Sequence, residues 1–346
     1  MPTPDPALTS PPQAKLMQMA NGFAARFLLR AAAELRIADY LANGPKTAEE
    51  LAALNGAHAP SLCRLLRSLE SIGIFVQDEQ HRFSLNTLAG PLRSEIPGSV
   101  RTSILSMTGD LFTIPWLKLA YSVQTGQPSF DHHFGVPFFD YLAAQPEEAA
   151  MFSDLLIGIN SADAPAVVAA YDFSTFTNIA DIGGATGHFL STILLSHPDS
   201  RGTLFDLPHN EVGAAELLHS RGMTNRVTFV AGSFFEGVPS GCDLYILSHV
   251  IHDWSEGQCL TILRNCHSAM SSNPDSASRL LVVEMVLPEG NAFHPGKILD
   301  MTMLATTSGQ ERTEPEYRAL LAKAGFNLTR VIPTRSLVSI VEAELA

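Results

Sequence analysis

Cysteine is scarce in this chain. The four residues, Cys63, Cys242, Cys259 and Cys266, form no C-x-x-C pair and have no histidines at zinc-finger spacing. That speaks against a disulfide framework or a bound metal and points to a reducing, cytoplasmic setting. Positive charge is also short: 22 Lys and Arg stand against 35 Asp and Glu, a formal net charge of −13. A nucleic-acid partner is disfavoured, because such binding draws its affinity from neutralised phosphates. No apolar run approaches the roughly 18 residues a membrane span needs. Residues 1–12, rich in Pro, Thr and Ser, lack the basic start and apolar run of a signal peptide and read as a disordered tail. What is abundant is apolar side chain, 46% of 346 residues, enough for two cores at a length where one core usually stops growing.

The periodicity changes along the chain. Over 13–105 it is mainly helical. Thr47-Ala-Glu-Glu opens one short helix with a capping box, and Leu62, Leu65, Leu66 and Leu69 share one face of the next. Two short strand-like runs, Ile74-Phe-Val and Arg82-Phe-Ser-Leu, complete a winged-helix outline. Residues 1–100 carry nine basic against nine acidic side chains, so this module has no basic surplus to hold DNA and reads as structural or dimer-forming. Residues 106–170 form a helical linker and substrate-side segment. From 171 to 346, short apolar runs alternate with helical segments: Asn178-Ile-Ala-Asp-Ile, Thr203-Leu-Phe-Asp-Leu, Val227-Thr-Phe-Val, Asp243-Leu-Tyr-Ile-Leu and Leu280-Leu-Val-Val. This is the pattern of an α/β domain with a parallel sheet covered on both faces. The last runs, 326–332 and 337–341, leave no room for a helix and predict an antiparallel hairpin at one edge.

In such a sheet, ligands bind beyond the carboxyl ends of the strands. The first run ends in Asp181-Ile-Gly-Gly-Ala-Thr-Gly187, a turn whose glycines let backbone N–H groups approach a ligand. It departs from the dinucleotide pattern G-x-G-x-x-G, with Ala185 at the third position and His188 at the sixth. The second run ends in Asp206, 19 residues beyond Gly187, where a carboxylate can accept both hydroxyls of a ribose.

With these marks, together with Ala231-Gly-Ser-Phe-Phe, His252-Asp-Trp-Ser, Val283-Glu-Met-Val-Leu-Pro and Gln310-Glu-Arg-Thr, the chain resembles the small-molecule O-methyltransferases related to caffeic acid, hydroxyindole and phenazine methyltransferases. The resemblance implies a class I methyltransferase, Rossmann-like sheet with one antiparallel edge strand and a winged-helix-like domain that forms a homodimer. It also implies S-adenosylmethionine as methyl donor. By position, Asp181, Gly183, Gly184 and Gly187 surround its methionine part. Asp206 takes the ribose with Leu207 beside it, Ser233 and Phe234 meet the adenine, and Ser248 stands near the cofactor. Ala185, Ser233 and Ser248 occupy places where a glycine, an aspartate and a lysine are frequent in relatives.

The fourth run leads to His252. Methyl transfer to a hydroxyl needs a base, because a phenol with a pKa of about 10 is mostly protonated at neutral pH. A histidine suits the task, helped by a carboxylate that fixes its tautomer. Glu284 interrupts the apolar run 280–287, where an unpaired charge would be costly, and the neighbouring strand would set it beside His252. Glu311, in Gln310-Glu-Arg-Thr, is the second flanking acid that the resemblance implies. His249, three residues upstream, is the competing base. A mainly apolar acceptor pocket is expected from Met107, Phe112, Trp116, Phe130, Phe134, Phe152, Trp254, Met301 and Met303. Two alternatives stay open at this point: a non-methylating relative of the same fold, such as a pericyclase, decarboxylase or hydroxylase, and a winged-helix regulator that senses a nucleoside.

Overall fold

Thr47 Oγ1 accepts the backbone N–H of Glu50 at 3.3 Å while the Glu50 carboxylate accepts that of Thr47 at 2.7 Å, so the predicted capping box starts helix Ala48–Asn55. In the computed structural model, which describes residues 11–272 and 278–346, this helix packs against Ala59–Ser71 through buried Leu51, Leu62, Leu66 and Leu69. Strands β1 (Phe75–Gln77) and β2 (Phe83–Leu85) pair antiparallel, and Phe75 and Phe83 close the same core. The expected tail lies outside the described residues apart from Pro11 and Pro12, and Pro12 opens helix Pro12–Asn21. That helix buries none of its residues, and helix Phe23–Glu34 follows it. These elements belong to one compact unit, comprising residues up to Thr113 with Ala150–Gly158.

The second unit comprises Ile114–Ala149 and Ile159–Ala346, so the segment expected as a linker is divided between the two. Its β-branched and apolar runs form β3 (Asn178–Ile182), β4 (Arg201–Asp206), β5 (Val227–Ala231), β6 (Leu244–Ser248) and β7 (Arg279–Glu284). A short pair, β8 (Val286–Leu287) and β9 (Arg312–Thr313), lies apart from the main sheet. The hairpin β10 (Phe326–Pro333) and β11 (Ser339–Leu345) ends the chain. The seven-stranded order is β10-β11-β7-β6-β3-β4-β5. β11 runs antiparallel to both its neighbours, while β3 to β7 are mutually parallel. The single antiparallel strand therefore lies one place in from the edge, and β10 forms the edge itself.

Alternation along the strands sends Tyr245, Leu247, Leu280 and Val282 to one face, under helices Glu256–Ser271 and Glu314–Lys323. Leu244, Ile246, Leu281 and Val283 go to the other, against helix His188–Ser196 and the Ala164–Val167 stretch. Because the chain runs β3, β4, β5 in one direction and then returns to place β6 on the other side of β3, the order reverses between β3 and β6. A crevice opens at the carboxyl ends of strands at such a switch point. The glycine loop and the His249–His252 turn both begin there. No helix among the described residues is long and apolar enough to cross a membrane.

Candidate active site

After β3 the backbone turns through Gly183 and Gly187 at φ of +74° and +81°. A Cβ at Gly183 would lie 2.9 Å from Val250 and 3.4 Å from Phe234, and one at Gly184 would lie 2.5 Å from both the Asp181 carboxyl and Leu204. The loop is therefore packed from beneath as closely as glycine allows. Asp206 ties it down: Oδ2 accepts the Ala185 N–H at 2.7 Å, and Oδ1 accepts the Leu207 N–H at 2.6 Å and Asn210 Nδ2 at 2.8 Å. Those bonds take three of the carboxylate's roughly four acceptor sites. The expectation that Asp206 accepts both ribose hydroxyls thus needs Asn210 to turn aside.

Beneath the loop Asp181 is buried, burial raises its pKa to about 7 against a weak pull from the Leu190 backbone N–H, and neither carboxyl oxygen has a well-formed hydrogen bond among the described residues. An orphaned buried acid calls for a cation or a donor. The glycine cradle and this acid together suit the amino-acid end of S-adenosylmethionine, the part the resemblance implies for this loop. Of the other residues expected at the cofactor, Ser233 accepts the Phe235 N–H at 3.3 Å, Leu207 is exposed, and Ser248 ends β6 half-buried.

Ala185 is the one strained member of the loop, at φ +49°. The left-handed region costs a residue with a Cβ about 1 kcal/mol, so Ala185→Gly is expected to raise the unfolding free energy by up to about 1 kcal/mol. Urea titrations of the two proteins measure the difference.

After β6 a short helical turn, Ile251–Asp253, carries His252, which is buried. Its Nδ1 lies 2.7 Å from Glu311 Oε1, and its Nε2 lies 3.8 Å from Asp253 Oδ1. Glu311 in turn is held by the Asp300 carboxylate, which accepts its backbone N–H at 2.9 Å. Burial disfavours the imidazolium, but Asp253, the Glu311 hydrogen bond and Glu284 outweigh it and raise the His252 pKa to about 10.

Glu284 does not touch the ring. Its Oε1 accepts the backbone N–H groups of Val250 at 3.2 Å and His252 at 3.1 Å, and its Oε2 accepts the Tyr317 hydroxyl. The expectation that Glu284 orients the imidazole is therefore corrected: Glu311 does that, and Glu284 braces the turn. Neighbouring strands bring the Glu284 carboxylate under the backbone of the turn, while Glu311 reaches the ring from outside the sheet. Gly309 completes the fit, since a Cβ there would collide with the His252 carbonyl, which accepts the Gln310 N–H at 2.8 Å.

Of the expected pocket residues, Trp116 donates its indole N–H to Thr302 at 3.2 Å on the helix that carries Met301 and Met303. Met303 is buried, whereas Met301 is half-buried. Phe130 is completely buried against Phe134, Phe138 and Tyr141, so it is core and not lining. Trp254 stacks on Phe139 and meets Phe234 and Phe235 edge-on. Met107, Phe112 and Phe152 belong to the first unit, where Phe112 and Phe152 stack at 6.4 Å. The residues missed from the sequence are Asp253, Asp300, Tyr317 and Asp163, which pairs with His249. A lone acid in the apolar stretch around Asp163 was the same signal that singled out Glu284.

Comparison with known proteins agrees with this geometry. Residues 116–327 match the O-methyltransferase domain and residues 17–92 the O-methyltransferase dimerisation domain. The phenazine O-methyltransferase of Lysobacter antibioticus is 44% identical, over 95% of both chains. The structure of a mitomycin 7-O-methyltransferase superposes with a TM-score of 0.90 at 34% identity, covering 96% of this chain and 98% of that one. An O-methyltransferase from neocarzinostatin biosynthesis, solved with S-adenosylmethionine and 2-hydroxy-5-methyl naphthoic acid, gives 0.82 at 34% identity over 93% and 96%. The chain belongs to the S-adenosylmethionine-dependent O-methyltransferases that act on small aromatic metabolites.

Proposed function

We propose that His252 removes the proton from a ring hydroxyl of a fused-ring aromatic acceptor while that oxygen takes the methyl group. The observation that carries this reading is the 2.7 Å bond from His252 Nδ1 to the buried Glu311, which leaves Nε2, 3.8 Å from Asp253 Oδ1, as the nitrogen without a hydrogen bond. When bound, S-adenosylmethionine supplies an electrophilic methyl on a sulfonium. Glu311 fixes the imidazole orientation and stabilises its charged form, the task a triad acid performs. General-base catalysis works best with a pKa near the operating pH, so a value raised to about 10 moves the optimum of this base to the alkaline side. The names of the relatives, phenazine and naphthoate methyltransferases among them, support a fused-ring acceptor.

The sign of the pH dependence follows. The base works only when unprotonated, and its pKa is raised to about 10. Below that value the competent fraction therefore grows about tenfold per pH unit. For a fixed phenolic acceptor, whose own ionisation at about pH 10 raises the rate with pH in either protein, kcat/KM is expected to climb from pH 7 toward 10 in both, with the wild type ahead throughout. Initial rates across that range check it, and a His252→Ala rate equal to that of the wild type at pH 7 would remove His252 from the role of base.

The chain is further proposed to pair with a second copy through its N-terminal unit. Leu16, Met17, Met19, Phe23 and Phe27 are all exposed along 12–34, within a region that matches the dimerisation domain. Contiguous exposed apolar patches of this kind mark association sites. The double variant Leu16→Asp, Phe23→Asp is expected to sediment as a monomer where the wild type sediments as a dimer.

A further inference from the structure

Beside His252 lies a second buried ionisable pair that the transfer step leaves unused. His249 sits in the left-handed region at φ +53°, a conformation residues with a Cβ rarely adopt and one that the surrounding structure must enforce. The turn carries its ring off the line of β6 and onto Asp163 of helix Pro146–Ala170, with Nε2 3.1 Å from Oδ2. The two side chains are only 9% and 7% exposed, so the bond is shielded from water and holds the ring in place. The ring centres of His249 and His252 are 5.4 Å apart, inclined at 54°. Asp163 engages Nε2, and Nδ1 of His249 has no hydrogen bond among the described residues. A pair serving only to anchor the helix would need neither the left-handed backbone nor a second histidine against the first.

We propose that His249, held by Asp163, binds a second oxygen of the acceptor, on the ring carbon next to the one that bears the reacting hydroxyl. This rests on the reading of His252 as the base and assigns His249 as a positioning residue for the same ring. Two oxygens on neighbouring carbons, each about 2.8 Å from a ring nitrogen, bridge imidazoles at this separation. Through Nδ1 the imidazole donates to a carbonyl or carboxylate oxygen, or accepts from a hydroxyl, according to its tautomer.

The test measures equilibrium binding of 2,3-dihydroxynaphthalene and 2-naphthol by calorimetry on full-length protein saturated with S-adenosylhomocysteine. The wild type is expected to bind the diol about tenfold more tightly, the size of one net hydrogen bond. His249→Asn removes the imidazole yet tolerates the left-handed backbone, and should shrink the preference to about twofold or less. Asp163→Ala, which frees the ring, should shrink it in the same direction. A wild type without the preference, including one that binds neither compound, overturns the proposal, as does a His249→Asn protein that weakens both compounds equally. His252→Ala separates the two readings: failure of the base assignment shows as an undiminished transfer rate in that variant, whereas failure of the present proposal shows only in the binding preference.

Discussion

Replacing His252 with alanine is expected to lower kcat by about 10²- to 10⁴-fold, the range general-base catalysis supplies, while the affinity for S-adenosylhomocysteine changes little. The side chain is buried and its Nδ1 is committed to Glu311, so alanine removes the oriented imidazole that would take the proton. Methyl-labelled S-adenosylmethionine and a panel of hydroxynaphthoates and hydroxyphenazines provide the assay. Label entering product at the wild-type rate in the variant would show that the acceptor loses its proton elsewhere. Glu311→Gln should fall between the two proteins. The amide can still reach Nδ1, but it no longer stabilises the imidazolium that forms as the proton arrives.

Glu284→Ala is expected to have the largest effect on stability, a loss of about 3–5 kcal/mol, as for removing one partner of a buried charged network. Glu284 is fully buried and accepts from the backbone N–H groups of Val250 and His252 and from the Tyr317 hydroxyl. Alanine leaves three buried donors without an acceptor, at about 1–3 kcal/mol for each group left unsatisfied, and opens a cavity besides. Urea unfolding at neutral pH measures the loss. Glu284→Gln keeps an acceptor oxygen and should destabilise less. A loss from Glu284→Ala below about 1 kcal/mol, the size of a single ordinary hydrogen bond, would mean that the turn carrying His252 holds its shape without this brace.

The two variants divide a pair of carboxylates that look alike in the sequence. Glu284 is readable as an acid flanking His252 because a charge within an apolar run must be answered by a partner, and Glu311 through the family resemblance alone. Which acid meets the ring and which meets the backbone is not readable. Glu284 is fixed by its register opposite Ser339 on β11, and Glu311 by the Asp300 bond that holds its backbone. Both are long-range contacts with no local signature. His249 shows the same limit. Its imidazole is visible as a rival to His252, but its partner lies 86 residues away in the chain, and its left-handed backbone has no counterpart in residue type. Phe130 erred for a related reason. Aromatic spacing says that a side chain is turned inward, without saying whether it meets a cavity or another ring.

Strand and helix periods, the glycine turn after β3, the acid after β4 and the capping boxes at Thr47, Ser255 and Thr313 follow from local sequence, because each is a contact among residues a few positions apart. The strand order, and with it the switch point between β3 and β6, belongs to the tertiary structure, since it joins runs far apart in the chain. Tertiary structure alone decided the partners: Glu311 for the His252 ring, Glu284 for its backbone, the Ala185 N–H for Asp206 and Asp163 for His249. Each of these pairs is made between side chains or turns that only the completed sheet and its covering helices bring within hydrogen-bond reach, where burial makes an unanswered polar group too costly to leave.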